Sequence, residues 1–306
     1  MRLGAFVITY RRPAALTRTV ETLLAQSVSP GTVLIMDNGA SEGSHDESSQ
    51  ALAGFGGRVQ VRSMRANLGP AGAAAEAIAE LMATGFSRIV WVDDDDPPRT
   101  PNALERLLAV LDSDQWIAMA GAFGSRWDWR RGRVCRIPDR ELEGIVDVDV
   151  IGGSAHPILR ASAAREIGLP RPELFFGVEE WEYALRLGRS GYRLAVDGDL
   201  MHEYRVRAGR LQRNTTRSLL PPYPLNDLWR RYYTTRNLIH SLRRTFGRSD
   251  LARRIAVRAL VRSLSAWGRG PRYGARYSHL QLLGILDGYR DRLGRTLLPR
   301  PKEIQS

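Results

Sequence analysis

The sequence predicts an α/β protein: a mainly parallel sheet covered by helices on both faces. Short apolar, β-branched runs alternate with segments of helical periodicity through the first two thirds of the chain. That alternation is the signature of βαβ units. The apolar runs also end repeatedly in polar residues: Thr9-Tyr10-Arg11, Asp37-Asn38 and Asp93 to Asp96. In an open α/β sheet, ligands bind beyond the carboxyl ends of the strands. Groups far apart in sequence can therefore converge on one crevice.

The elements follow in order. Leu3 to Thr9 reads as a strand. Ala14 to Ala25 reads as a helix, with Leu16, Val20, Leu23 and Leu24 at helical spacing. Val33 to Met36 and Arg58 to Ser63 are further strands. Ala71 to Thr84 is an alanine-rich helix after the turn Asn67-Leu68-Gly69-Pro70. Arg88 to Val92 is the strand that presents the aspartates, and Pro101 to Leu111 is a helix with Leu104, Leu107, Leu108 and Leu111 on one side. Trp116 to Phe123 reads as a strand, Trp127 to Arg136 as a loop or hairpin, and Ala155 to Leu159 as a strand. A helix begins near Ala161. Another follows the paired glutamates through Leu187, and Tyr192 to Val196 is strand-like before the turn Asp197-Gly198-Asp199. Composition shifts near Leu211. Pro221-Pro222-Tyr223-Pro224 reads as a linker or ordered turn. Trp229 to Phe246 and Asp250 to Trp267 read as arginine-rich helices. The expected organisation is an α/β domain over 1–210, which would carry the site, and a helical region over 211–306 packed on it.

Four adjacent aspartates at a strand end repel one another and need a cation or strong donors. Oxygen-rich sites suit Mg²⁺ or Mn²⁺, and Mg²⁺ is commonly held by one or two carboxylates together with substrate phosphates. A second dense motif, Phe175-Phe176-Gly177-Val178-Glu179-Glu180, leads apolar residues into two carboxylates. Near a helix N-terminus such carboxylates are electrostatically favoured. A pocketed one can also serve as a general base if an acceptor hydroxyl comes within hydrogen-bond reach. His202 follows a strand at a location comparable to the other site residues.

The 306 residues are 43% hydrophobic and 25% charged, ordinary for a globular protein. The single cysteine, Cys135, excludes an intramolecular disulfide. No secretory signal is visible, because the apolar run Ala5 to Thr9 meets Arg11-Arg12-Pro13 at once. No apolar stretch approaches the roughly 18–20 residues that span a bilayer. The expectation is a cytoplasmic protein, soluble or peripheral at the inner face of the membrane. Net charge is +12, and of the 45 basic residues only Lys302 is a lysine. Arginine suits phosphate recognition, so diphosphate, anionic membrane and nucleic acid all fit the charge. In Asp250 to Trp267, Arg254, Arg258 and Arg262 form one stripe; Val257, Leu260, Val261, Leu264 and Trp267 lie on another arc. A basic amphipathic helix can rest on an anionic membrane; the ordinary alternative packs on its own domain with arginines facing water.

Taken in order, these motifs resemble the family 2 nucleotide-sugar glycosyltransferases with the GT-A fold. Phe6 to Pro13 looks like the family's opening strand and nucleotide-binding turn. Met36-Asp37-Asn38-Gly39 resembles the second strand end, and Arg65 to Gly72 the Asn-Leu-Gly segment. The aspartate run resembles the Asp-x-Asp metal motif, Phe175 to Leu187 the acceptor-side acidic motif, and His202 the downstream metal histidine. Arg230 to Asn237 is similar to a segment of the galactofuranosyl- and rhamnosyltransferase branch. The acidic pair here is Glu-Glu where Asp-Asp, Asp-Glu or Glu-Asp is usual, and Pro70 replaces a common glycine. Four aspartates permit two registers, and the final three are aligned with the motif.

The resemblance implies an inverting, metal-dependent hexosyltransferase of polysaccharide or cell-wall biosynthesis. Asp94, Asp96 and His202 would hold Mg²⁺ or Mn²⁺, with Asp93 in support. Glu180 would be the base, and Glu179 would orient the acceptor or share that role. Thr9, Tyr10, Arg11, Asp37, Arg65, Asn67, Asp94 and Asp95 would bind the nucleotide sugar, UDP- or dTDP-linked. The acceptor would be a glycan, a polyprenyl-linked glycan or a natural product, reached with peripheral membrane contact and without specific nucleic acid. Two rivals are a nucleotidyltransferase, although the chain lacks a Gly-x-x-x-x-Gly-Lys-Ser/Thr loop, and a basic nucleic-acid-binding protein, although no recognised motif for that is present.

Overall fold

The computed structural model describes residues 2–39, 45–211 and 223–297. Part of the expected linker, Pro221-Pro222, lies outside the described residues. The chain forms two compact units. The first comprises Met1–Trp127, Val134–Pro172 and Glu180–Gln212. The second comprises Asp128–Arg133, Glu173–Glu179 and Arg213–Ser306.

The first unit is built on an eight-stranded sheet in the order β3-β2-β1-β4-β9-β5-β10-β8. Its strands are β1 (Leu3–Thr9), β2 (Thr32–Asp37), β3 (Val59–Ser63), β4 (Arg88–Asp93), β5 (Ile117–Gly121), β8 (Ile145–Val148), β9 (Ile158–Arg160) and β10 (Arg193–Asp197). Short strands β6 (Arg126–Asp128) and β7 (Arg133–Cys135) form the expected hairpin. In the main sheet, β8 and β9 pair antiparallel with their neighbours and the other pairings are parallel. Alternation divides β1 between two cores. Ala5 and Val7 join Leu16, Val20 and Leu23 of α1 (Pro13–Leu24) and the leucines of α4 (Ala103–Asp112). Phe6 points the other way. It joins the alanines of α3 (Gly69–Ala83) and Tyr183 and Leu187 of α6 (Glu179–Arg189). Each fully buried leucine contributes roughly 1.5–3 kcal/mol.

Several boundaries differ from the sequence expectation for identifiable reasons. Residues 155–157 do not extend the strand, because Gly153–Ala155 closes a 3₁₀ turn and His156 adopts left-handed φ of 50°. Asp197-Gly198-Asp199 is the start of a helix, α7 (Gly198–Arg207), whose N-cap is Asp197, accepting from the Leu200 amide. Two shorter helices complete this unit, α2 (His45–Leu52) and α5 (Ala161–Ile167).

The second unit holds α8 (Leu228–Arg244), α9 (Ser249–Ala266) and α10 (Pro271–Tyr289). Its core is aromatic, built on Phe175, Tyr232, Tyr233, Tyr273 and Tyr277. Of the two readings of α9, the one that turns its arginines to water does not hold for two of them. Arg254 donates to the Arg130 carbonyl at 2.9 Å, and Arg258 to those of Gly132 and Arg131. The apolar arc faces out instead: Val257 is 58% exposed, Val261 60%, Leu264 75% and Trp267 50%. Among the described residues, no helix is long and apolar enough to cross a membrane.

Candidate active site

Three strand ends meet in register. Thr9 of β1 pairs with Asp37 of β2, and Ile8 with Asp93 of β4. At the β1–β4 junction the Thr9 hydroxyl donates to Asp94 Oδ2 at 2.8 Å. The Tyr10 amide and Arg12 also engage Asp94, and Arg12 reaches Asp95 at 2.6 Å. Burial pushes the Asp94 carboxyl above its ordinary range, against the lowering effect of Thr9 and Arg12. Arg12 thus meets Asp94 and Asp95. Arg11, the neighbour named from sequence, is exposed and sits at φ 58°. Arg12 was within the quoted motif; its side chain is itself 45% exposed while it reaches the carboxylates.

The second cluster joins β2 to α3. Asp37 is fully buried, and its Oδ1 accepts from the Gly39 amide at 2.9 Å. Asn38, missed as a site residue, donates to the Gly69 carbonyl at 3.1 Å and accepts from the Leu68 amide at 3.3 Å. Asn67 accepts from the Gly69 amide at 2.9 Å. Both asparagines therefore shape the turn opening α3, whereas Arg65 is exposed.

The third cluster was not foreseen. Glu180, half-buried, accepts from the Gly153 amide at 2.6 Å. A Cβ added to Gly153 would lie 2.6 Å from Glu180 Oε1, 3.1 Å from Asp93 Oδ1 and 3.2 Å from Trp91 Nε1. All three groups therefore converge where Gly153 has no side chain. Burial drives Asp93 well above the ordinary carboxylate range, and the Glu180 charge is the next cause, ahead of the neighbouring aspartates. Glu179 is buried while Glu180 is not, so the two glutamates have different access to solvent.

The end of the aspartate run is held separately. Asp96 pairs with Arg99, which also lies over the Tyr204 ring of α7. The buried His156 contacts the Asp96 carbonyl through Nε2 at 2.6 Å. A carbonyl only accepts, so Nε2 carries the proton. Burial lowers the His156 pKa, which keeps the ring neutral. His202 lies half-buried in the second turn of α7. Among the described residues, no three His, Cys, Asp or Glu side chains are drawn together as a metal shell. Asp94, Asp96 and His202 are therefore not preassembled. The donor chemistry nevertheless fits a hard divalent cation: clustered carboxylate oxygens, of which those of Asp93 and Asp94 are pushed above the ordinary range, first by burial.

The segment entering α6 is unusual. Phe175, Gly177 and Val178 have φ of 62°, 73° and 79°. Left-handed backbone at a non-glycine residue costs on the order of 1–3 kcal/mol and persists where surrounding structure enforces it.

Residues 5–155 match the family model described as glycosyl transferase family 2. This chain is a family 2 glycosyltransferase. Its GT-A architecture agrees with solved structures. The chain superposes on GalNAc-T7, solved with UDP, GalNAc and Mn²⁺, with a TM-score of 0.60 at 12% identity. That match covers 95% of this chain and 56% of the other, so the chain spans little more than half of that relative. The mannosyltransferase PcManGT from Pyrobaculum calidifontis, in complex with GDP-Man and Mn²⁺, gives 0.54 at 12% identity, covering 95% and 88%. In sequence, this glycosyltransferase is 28% identical over 253 residues to the galactofuranosyltransferase GlfT1 of Mycobacterium tuberculosis, covering 76% of this chain and 79% of that protein. The nucleotidyltransferase and nucleic-acid-binding readings give way to this one.

Proposed function

We propose that the protein is an inverting, divalent-metal-dependent transferase of galactofuranose, rhamnose or a related hexose, from a UDP- or dTDP-linked donor to an acceptor hydroxyl. The observation that carries this reading is the convergence of Glu180 and Asp93 at Gly153. It places a partly accessible carboxylate beside the aspartate run. Glu180 takes the proton of the acceptor hydroxyl as that oxygen attacks the anomeric carbon from the face opposite the diphosphate. The Gly153 amide orients the accepting carboxylate. Glu179, which is buried, orients the acceptor or shares the base role. Asp94, Asp96 and His202 are the residues that would hold Mg²⁺ or Mn²⁺, which would stabilise charge on the departing nucleoside diphosphate. Arg12 and Arg99, paired with those carboxylates here, are cations that a diphosphate would meet. Thr9, Tyr10, Arg11, Asp37, Arg65, Asn67 and Asp95 line or shape the nucleotide-sugar side. The galactofuranosyl option is favoured by the name of the 28% identical relative.

The acceptor class we favour is a polyprenyl-linked glycan, reached from the inner face of a membrane. The outward apolar arc of α9 supports it. From Leu251 to Leu286 the chain carries seven arginines and no acidic residue, the charge that suits an anionic bilayer. A panel of nucleotide sugars assayed for nucleoside diphosphate release, with and without EDTA, tests donor and metal together. Glu180→Gln should abolish transfer and spare donor binding. Near-normal turnover in that variant would remove the base assignment, and EDTA-insensitive turnover the metal.

A further inference from the structure

Within the second unit, α8 contributes two fully buried polar side chains, Arg236 and Asn237. The Asn237 amide nitrogen donates to three carbonyls of one short segment: Leu174 at 2.9 Å, Phe176 at 3.0 Å and Gly177 at 2.7 Å. Arg236 Nη2 adds a second donor to the Leu174 carbonyl at 2.9 Å. Arg236 Nε donates to Asn237 Oδ1 at 2.9 Å, which fixes the amide so that its nitrogen faces the carbonyls. The guanidinium is itself held by the Gly294 carbonyl at 2.8 Å and Thr296 Oγ1 at 3.0 Å, and it lies 4.7 Å from the Tyr233 ring centroid.

Two buried donors on a rigid helix thus serve the carbonyls of the segment whose backbone is left-handed at Phe175, Gly177 and Val178. A left-handed β-branched residue does not hold that shape by itself. Extended or ordinary helical backbone would turn these carbonyls away and leave the buried donors unpaired, a costly outcome. The segment ends one residue before Glu179.

We infer that Arg236 and Asn237 are positioning residues that lock the Leu174–Gly177 carbonyls and so set where the chain enters the Glu179-Glu180 pair. The catalytic consequence rests on the reading of Glu180 as the base; the lock itself does not. A fixed entry point matters because an error of about 1 Å in a catalytic group can lower rate by ~10²-fold.

Asn237→Asp replaces the shared donor by acceptors aimed at three carbonyls. Amide hydrogen exchange on the full-length protein should show residues 175–183 exchanging at least tenfold faster, with α3 and the first turns of α8 unchanged. With the best donor from the panel above, kcat should fall at least tenfold while donor KM stays within twofold. Uniformly faster exchange would mean a merely structural role, and unchanged exchange would mean no lock; either overturns the inference. A normal kcat beside locally faster exchange overturns the positioning role. Should Asn237→Asp not fold, Arg236→Lys keeps the charge but loses the Nε–H that orients the amide, and it should give the same local pattern. If Glu180→Gln turned over normally, the base reading would fail while hydrogen exchange still decided the lock.

Discussion

The backbone amide of Gly153 donates to Oε1 of Glu180 across 2.6 Å, joining two segments 27 residues apart. A methyl group at this glycine would sit 2.6 Å from that same oxygen, closer than real Cβ contacts come. Gly153→Ala should therefore displace the carboxylate. The expected result is a loss of about 10²-fold in kcat, with nucleotide affinity unchanged by calorimetry. Full activity would show that Glu180 need not keep this bond.

Thr9→Val tests the other carboxylate cluster. The substitution preserves shape but removes the hydroxyl donor to the buried Asp94. A buried acceptor deprived of a partner costs about 1–3 kcal/mol. The urea midpoint should fall accordingly. Mn²⁺ should also bind more weakly at neutral pH, because Asp94, already raised above its ordinary range, loses a contact that lowers it. Unchanged Mn²⁺ affinity would argue against Asp94 as a ligand.

Asp291 gives a pH signature for the helical unit. Its carboxyl is held below the ordinary range, first by hydrogen bonding to Arg244 and then by His240, and it also meets Arg243. A depressed folded pKa stabilises fully above the unfolded value of about 4, and that stability is lost as pH falls through the lowered folded value. The pairs are partly exposed, so about 0.5–1 kcal/mol is expected. Asp291→Asn should lower the midpoint at pH 6 by this amount, and its offset from the parent should narrow at pH 3. Equal offsets at both pH values would contradict the linkage.

The outward arc of α9 predicts binding to vesicles of phosphatidylglycerol over vesicles of phosphatidylcholine. Leu264→Glu or Val261→Glu should reduce sedimentation with the anionic vesicles at least tenfold and leave transfer to a water-soluble acceptor intact. Equal binding of parent and variants would remove the membrane role of this face.

Much of this was legible in the sequence because it is local. Period-two and helical spacing located β1, α1, α3, β4 and α4 to within a few residues, and the strand-end rule brought Thr9, Asp37 and the aspartates to adjacent strands. What escaped depends on tertiary context. The Asp197 side chain looks like a turn former but caps a helix. The α10 span mixes glycines and polar residues, and its small positions are close approaches to α8: a Cβ at Gly284 or Gly288 would lie 2.8 or 2.7 Å from an α8 carbonyl. The meeting of Glu180 with Asp93 and Gly153 joins segments that no sequence window contains. Arg236-Asn237 was quoted as part of a motif, yet its role emerged only from the carbonyls it faces.

The lock on residues 174–177 also bears on the order in which the polypeptide matures. Its donors lie about sixty positions downstream, with Leu174 and Arg236 separated by 62, and the guanidinium is itself anchored at Gly294 and Thr296. A nascent chain emerging from the ribosome at ~5–20 residues per second exposes its acidic motif well before those anchors exist. The strands of the main sheet can pair during that interval, but the guanidinium that orients the Asn237 amide lacks its anchors until translation has passed α10. On the reading of Glu180 as the base, competence for transfer waits until residues 294–296 have been made, and a product cut short before Gly294 would carry the aspartates without an anchored lock.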